Sequence, residues 1–242
     1  MIKKSAISFL LFIFACTACN KQDVTPQIPT GTFDVKNYKA ERHPTINRMG
    51  FGMDFVHDSL STDTLYLTTS MYQSSFKWDL LLYNEMSYYQ NNVGDWVSVG
   101  NPVIFIYTDT INPENSVKAY KVGEGQTFFT QFTSINQNMI DSLKADTWVN
   151  LQKARDSKTG YLLRDSILEL YNKLIIGNNF RAVSLQERLD AGEKEADIQP
   201  VYLVQTRDKY YAKFMVYQYK GNGVDVQKTL IRWQVFDGEN IH

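Results

Sequence analysis

The C-terminal part of the chain alternates apolar and polar residues in three runs separated by short turns. The runs cover residues 201–206, 210–219 and 226–236. The last run alternates between two sets of residues. In a strand one face would carry Ile231, Trp233 and Val235 and the other Arg232 and Gln234, which is typical of a strand with one buried face. Arg207-Asp208-Lys209 and Gly221-Asn222-Gly223 supply the turns between the runs. The pattern predicts an antiparallel meander.

The N-terminal half predicts further strands, and the middle predicts helices. Short apolar or alternating runs occupy residues 51–56, 64–68, 78–83 and 103–107. Helical spacing with N-capping signals begins at Ser134, at Ser166 with Glu169 and at Ser184 with Glu187. We expect a mainly β protein, with residues 35–242 forming one antiparallel, sandwich- or barrel-like domain and a partly helical insert at about 134–192.

The first residues resemble a bacterial lipoprotein export signal. Lys3 and Lys4 precede a short apolar run, and small residues lie just before a cysteine. Cys19 is the favoured lipidation site, because Cys16 would place bulky Phe14 two residues upstream. We therefore expect residues 1–18 to be a signal peptide and 19–34 a lipidated cysteine with a flexible tether. The charged stretch after Cys19 loosely resembles the signal that sends such proteins to the outer cell face.

Charge and cysteine content narrow the classes of function. Without Lys3 and Lys4 the mature chain has 23 basic and 26 acidic residues, a net charge of −3, which disfavours nucleic acid as a partner. If Cys19 carries lipid, no thiol is left for disulfides, thiol catalysis or cysteine metal sites. The expected membrane contact is the lipid anchor.

The sequence offers little for catalysis. It has three histidines, His43, His57 and His242, and neither a nucleophile elbow nor a zinc-peptidase spacing. His57 is interpreted as a surface residue. An acidic group alternates with Arg188 and Lys194 and is interpreted as a solvated surface; it comprises Glu187, Asp190, Glu193, Glu195 and Asp197. We expect no enzyme activity and no site for a free metal ion.

Aromatic residues in a polar stretch form the candidate binding site. Tyr88, Tyr89 and Trp96 lie in or beside residues 85–95, which predict a loop. Exposed rings there could stack on sugar faces or flat macrocycles. The alternative is that the rings fold back over the sheet as a cover for the core. Trp78 is predicted to anchor the core.

Two blocks of sequence resemble the HmuY-like family of haem-binding surface lipoproteins. The first is Ser75-Phe76-Lys77-Trp78-Asp79-Leu80-Leu81-Leu82. The second runs from Tyr202-Leu203-Val204-Gln205-Thr206 through Tyr211-Ala212-Lys213-Phe214 to the final aromatic strand. The resemblance implies a β fold on the bacterial outer membrane, lipid-anchored and exposed at the cell surface. It also implies non-catalytic capture of haem in iron acquisition and delivery to an outer-membrane receptor.

The family holds haem between two axial side chains, His or Met. Residues 80–201 contain no histidine, and their methionines are Met86 and Met139. The resemblance therefore implies Met86 and Met139 as axial ligands, walled by the three aromatic residues; Met139 is equally interpreted as a core residue of a helix. The alternative function is a glycan- or protein-binding accessory lipoprotein of a surface uptake complex.

Overall fold

The computed structural model describes residues 30–35, 47–67, 72–73, 78–109, 111–147, 151–180, 187–221 and 227–237. Across these ranges no helix is both long and apolar enough to cross a membrane.

The described strands, in chain order, are β1 (Thr30–Val35), β2 (Asn47–Asp54), β3 (Ser59–Leu67), β4 (Tyr72–Gln73), β5 (Leu80–Gln90), β6 (Trp96–Ile106), β7 (Lys118–Glu124), β8 (Pro200–Gln205), β9 (Tyr211–Gly221) and β10 (Gln227–Val235). The α-helices with described bounds are α1 (Gly125–Gln131), α2 (Gln137–Asp141), α3 (Arg164–Tyr171) and α4 (Glu195–Ile198). Within the described ranges, 3₁₀-helices span Pro113–Asn115 and Leu151–Ala154.

The strands form two antiparallel sheets. Sheet A has the order β1-β10-β9-β8-β7, and sheet B has the order β4-β3-β2-β5-β6. The chain enters in sheet A, builds sheet B through five successive strands and returns to sheet A at β7. The mainly β, antiparallel fold expected from the sequence is confirmed.

The main core lies between the two sheets. Alternate residues of the C-terminal strands face it, including Phe214 of β9 and Trp233 of β10, and they meet Leu80, Leu82 and other buried residues of sheet B. Burial of apolar surface at about 25 cal/mol per Å² is the main stabilising contribution of such an interface. The C-terminal meander predicted from alternation is therefore present with the expected inward face.

Each sheet is also covered on its outer face. On sheet B, Leu81 and Tyr83 pack beneath α3 and the 3₁₀-helix Leu151–Ala154. On sheet A, Leu203 packs with Phe132 and Ile135, near α1 and α2. The molecule thus has helical layers outside a β-sandwich. This explains why β8 and the first residues of β5, 80–83, are apolar on both faces, whereas β10 alternates.

The folded part begins earlier than expected. Residues 30–34, assigned to the tether, belong to β1, which pairs with β10 from Thr30 opposite Gln234 to Val35 opposite Thr229. The pairing supplies backbone partners along the edge of β10 that would otherwise lack them. Likewise, the helical segments between β7 and β8 extend from Gly125 to Ile198, beyond the expected limits of 134 and 192.

The predicted loop at residues 85–95 is wrong. β5 continues to Gln90 and pairs with β6 along its whole length, so only the turn between them is irregular. The polar residues that suggested a loop include Glu85 and Ser87, which are buried on the outer face of sheet B. Polarity was therefore a poor guide because buried polar groups occur inside this hairpin.

The predicted helix caps need correction. Asn136, rather than Ser134, caps α2, and its side chain accepts a hydrogen bond from the N–H of Met139. Helix α3 begins at Arg164, so Ser166 lies inside its first turn and forms no capping box with Glu169. The Ser184 cap lies outside the described residues.

Candidate functional site: an exposed aromatic cluster on a long hairpin

The β5–β6 hairpin ends in a turn built around Asn91. The Asn91 Oδ1 accepts the N–H groups of Val93 (3.1 Å) and Asp95 (2.8 Å). Gly94 has a φ of +87°, a conformation that glycine adopts at little cost, and its N–H donates to the Asn91 carbonyl. These bonds fix the tip of the hairpin and the register of the strands behind it.

The register places Tyr88 and Trp96 on one face of the hairpin. Tyr88 lies opposite Ser98 and Gln90 lies opposite Trp96, and side chains of directly opposed residues share a face. Tyr88 and Trp96 are therefore diagonal neighbours. Tyr89 points to the other face, where the Arg164 guanidinium lies 4.7 Å from the centre of its ring.

A third aromatic residue, Tyr161, contacts Tyr88 and Trp96, and the sequence analysis did not identify it as a site residue. It follows a turn in which Asp156 Oδ1 accepts hydrogen bonds from the N–H groups of Lys158 and Thr159 and from the Thr159 hydroxyl. The same bonds, led by the Thr159 N–H, lower the pKa of Asp156. The next residues join the edge of β5, with the Tyr88 N–H donating to the Leu162 carbonyl at 2.8 Å. Tyr161 is thereby positioned by backbone bonds on both sides.

Tyr88, Trp96 and Tyr161 form what we call the aromatic cluster. The Tyr88 and Tyr161 rings stack with centroids 4.4 Å apart and an interplanar angle of 20°. Trp96 meets Tyr161 edge to face at 5.4 Å. Trp96 is 39% exposed and Tyr161 37%. The rings support one another yet present area to solvent, an arrangement suited to stacking against a ligand.

A buried polar network lies beneath the hairpin on its other face. Asn101 Nδ2 donates to the Ser87 hydroxyl (2.6 Å) and the Glu85 carbonyl (3.1 Å), and the Tyr83 hydroxyl donates to the Glu85 carboxylate (3.1 Å). The two Asn101 bonds cross between β5 and β6 in a poorly solvated environment, where an unmade bond is costly. The network therefore stabilises the hairpin that carries the aromatic cluster.

The structure does not bring the two candidate methionines together. Met86 is a residue of β5 in sheet B, on the same face as Tyr88. Met139 is in α2 and packs near Phe132, Ile135 and Leu203 on the outer face of sheet A. Since axial ligands must face each other across one iron atom, Met86 and Met139 do not fit haem as a pair.

A second feature is an acidic cavity of about 360 Å³ where both sheets end. Its lining comprises Asp54, His57, Asp79, Asp109, Asn115, Arg207 and Asp208. These residues come from four separate connections, so the cavity exists only in the folded protein. It lies at the opposite end of β5 and β6 from the aromatic cluster.

Asp79 forms the inner wall of this cavity. Its Oδ2 accepts the Phe55 N–H at 3.0 Å and its Oδ1 accepts the Arg207 N–H at 2.9 Å. Burial raises the pKa of Asp79 to about 6, although both N–H groups act in the opposite direction. Asp79 thus links a turn of sheet B to a turn of sheet A. The neighbouring Trp78 is fully buried, as predicted, and meets Tyr107 edge to face.

His57 lies at the mouth of the cavity and is exposed, as the sequence predicted. Its Nδ1 is 2.8 Å from Asp54 Oδ2, and this hydrogen bond raises the pKa of His57. Ligand atoms of Asp54, His57 and Asp208 lie within 4.8 Å of one another, a spacing that a cation can bridge. The Arg207 guanidinium lines the same cavity, over the Tyr107 ring at 4.0 Å, and opposes a second positive charge there.

Of the remaining candidates, the acidic surface lies within the described residues. Arg188 donates to Glu193 and to Glu124, which places an ion-pair network at the predicted acidic surface. Cys19, His43 and His242 lie outside the described residues.

No family model matches the chain, and no curated protein is detectably similar to it in sequence. Among solved structures it is similar to a crystal structure from Bacteroides fragilis that carries the description "putative lipoprotein". The sequence identity is 10% and the TM-score 0.43, over 85% of this chain and 90% of the other.

Proposed function

We propose that this chain is a lipid-anchored binding protein of the bacterial outer membrane, exposed at the cell surface. We further propose that it binds a saccharide, without catalysis, through the aromatic cluster. The lipid anchor at Cys19 is supported by the export signal and the small residues before that cysteine. The binding role is supported chiefly by the partly exposed rings of Trp96 and Tyr161.

Stacking on sugar rings accounts for both the exposure and the rigidity of these side chains. A sugar ring presents an apolar face of C–H groups that packs on an aromatic ring, while its hydroxyls remain solvated. Tyr and Trp supply large contact area with few rotatable bonds, so little conformational entropy is lost on binding. The stacked Tyr88 and the hydrogen-bonded Asp156 turn restrict Tyr161 before any ligand arrives.

Haem is the competing ligand, because it is the one that the HmuY-like resemblance suggests. A haem macrocycle would also stack on these rings. Met86 belongs to sheet B and Met139 packs on the outer face of sheet A, and this separation supports a saccharide rather than haem as the ligand. Under either ligand the domain would serve nutrient uptake, with an outer-membrane receptor or transport complex as its partner.

Titration of the unlipidated chain from Asn20 onward separates the two ligands. Trp78 and Trp233 are buried, and Trp148 lies outside the described residues. Among the described tryptophans, Trp96 is therefore the one whose fluorescence a ligand at the aromatic cluster can change. We expect oligosaccharides from a panel to change tryptophan fluorescence saturably, and Trp96→Phe to abolish the change. A saturable Soret shift with haem and no response to any oligosaccharide would contradict the proposal.

A further inference from the structure

The strand registers define which end of the domain is attached to the preceding chain. Thr30, the first described residue, lies opposite Gln234 near the end of β10. The adjacent Val235 lies opposite Ala212 at the start of β9. The preceding segment therefore joins sheet A at the end where β10 finishes and β9 begins. We call this the entry end.

Sheet B has its acidic cavity at the same end. The β8–β9 turn belongs to the entry end, and its Arg207 N–H donates to Asp79, which directly precedes β5. The Val117 N–H likewise donates to the carbonyl of Tyr107, just beyond β6. The start of β5 and the end of β6 are therefore at the entry end, and the turn between them is at the other end.

The aromatic cluster is separated from the entry end by almost the length of β6. The strand has eleven residues, which at about 3.3 Å per residue span roughly 33 Å. Trp96 is its first residue, and Tyr161 contacts both Trp96 and Tyr88. The cluster is thus at the opposite end of the domain from the attached chain.

We infer that the entry end faces the membrane and that the aromatic cluster points away from it, toward ligands in the aqueous phase. The inference rests on the lipid anchor in the proposed function. Eleven residue steps join Cys19 to Thr30, a reach of at most about 40 Å. The entry end therefore stays within this distance of the bilayer, whereas the cluster, roughly 33 Å along the domain from it, is on average the more distant of the two. The ligand is accordingly a soluble or polymer-borne saccharide rather than the headgroup of a lipid in the same membrane.

Energy transfer from the protein to the bilayer tests the orientation. Val93 and Ile111 are matched positions, since both are apolar, 80% and 65% exposed, and lie in the connections at opposite ends of β6. Val93→Cys and Ile111→Cys would be introduced separately into the lipidated chain. Each would be labelled with a donor dye and reconstituted in phosphatidylethanolamine–phosphatidylglycerol vesicles with an acceptor on the headgroup. The lipidated parent chain is the control and should take no dye, because lipid occupies the Cys19 thiol.

We expect the transfer efficiency from Val93→Cys to be at most about half of that from Ile111→Cys, because the roughly 33 Å length of β6 lies between the two positions. Equal or reversed transfer would overturn the inference. Failure of the parent chain to float with vesicles would overturn it together with the proposed anchor. A transfer difference without saccharide binding would leave the orientation standing and remove only the proposed ligand.

Discussion

The carboxylate of Asp79 accepts the backbone N–H of Arg207, 128 residues away, at 2.9 Å. Its second oxygen accepts the Phe55 N–H, so one side chain joins turns from both sheets at the entry end. The residue after the buried Trp78 is therefore a structural link between the sheets.

Replacing Asp79 by Ala should destabilise the fold. The buried Phe55 N–H and the partly buried Arg207 N–H would lose their acceptors, each at a cost of about 1–3 kcal/mol, offset in part by removal of a buried charge. We expect a net loss of about 2 kcal/mol in the free energy of unfolding, measured by urea denaturation at pH 7. Asp208→Ala is the control, because Asp208 lines the same cavity but is exposed. Equal effects of the two substitutions would contradict the assigned role.

Asp146 should make stability depend on pH. Its Oδ1 accepts the Ile175 N–H at 2.8 Å, and burial raises its pKa from 3.8 to about 6, although the backbone N–H groups of Ile175 and Ile106 act in the opposite direction. Because the folded-state pKa is above the unfolded value, this group's contribution to stability is complete below pH 4. It is lost as pH rises from about 4 to 6. A shift of roughly two units corresponds to about 3 kcal/mol.

Asp146→Asn keeps the Oδ1 acceptor and removes the titration. Urea midpoints measured at several pH values from 4 to 7 should therefore fall less steeply for the variant than for the parent chain. Parallel curves for the two proteins would show that Asp146 does not titrate in this range.

Lys213 should anchor α1 to sheet A. Its ammonium is buried and donates to the carbonyls of Phe129 and Phe132, 2.6 Å away, at the C-terminal end of that helix. A cation there satisfies carbonyls that the helix leaves unpaired. We expect Lys213→Met to accelerate amide hydrogen exchange in α1 at least several-fold, with little change in β10. Unchanged protection in α1 would contradict this role.

Gly177 should tolerate no side chain. Its φ is +53°, and a Cβ would lie 2.1 Å from the carbonyl oxygen of Tyr171. Gly192 is a matched control, since its φ is +89° but a Cβ there would meet nothing within 4 Å. We expect Gly192→Ala to cost about 1 kcal/mol from backbone strain and Gly177→Ala to cost several-fold more, measured by thermal unfolding. Similar losses would contradict the described packing of this loop.

The sequence predicted the strands best where one face is buried and the other is wet. In β10 the buried residues Ile231, Trp233 and Val235 alternate with polar residues, so the sequence pattern follows the burial of the two faces directly. It predicted poorly where polar side chains are buried. Inside the hairpin the Asn101 side chain donates to the Ser87 hydroxyl and to the Glu85 carbonyl, and the polarity of these residues is indistinguishable in the sequence from that of a loop.

The candidate site could be predicted only in part for a related reason. Tyr88 and Trp96 are close along the chain, and their cross-strand proximity follows once the hairpin is known. Tyr161 contacts Tyr88 and Trp96 because a segment distant in sequence pairs with β5, and no local sequence pattern predicts that pairing. The same holds for Asp79, whose partners come from two remote turns.

The most direct test of the account is the effect of Tyr161→Ala on saccharide affinity. Tyr161 touches both other rings of the aromatic cluster, whereas Tyr120 on β7 has a similar exposure of 39% and belongs to sheet A. Isothermal titration of the responding oligosaccharide against the parent, Tyr161→Ala and Tyr120→Ala chains compares the two sites. The account predicts a loss of affinity of about ten-fold or more for Tyr161→Ala, from a stacking contribution near 1.4 kcal/mol, and no change for Tyr120→Ala. Unaltered affinity in Tyr161→Ala would contradict it.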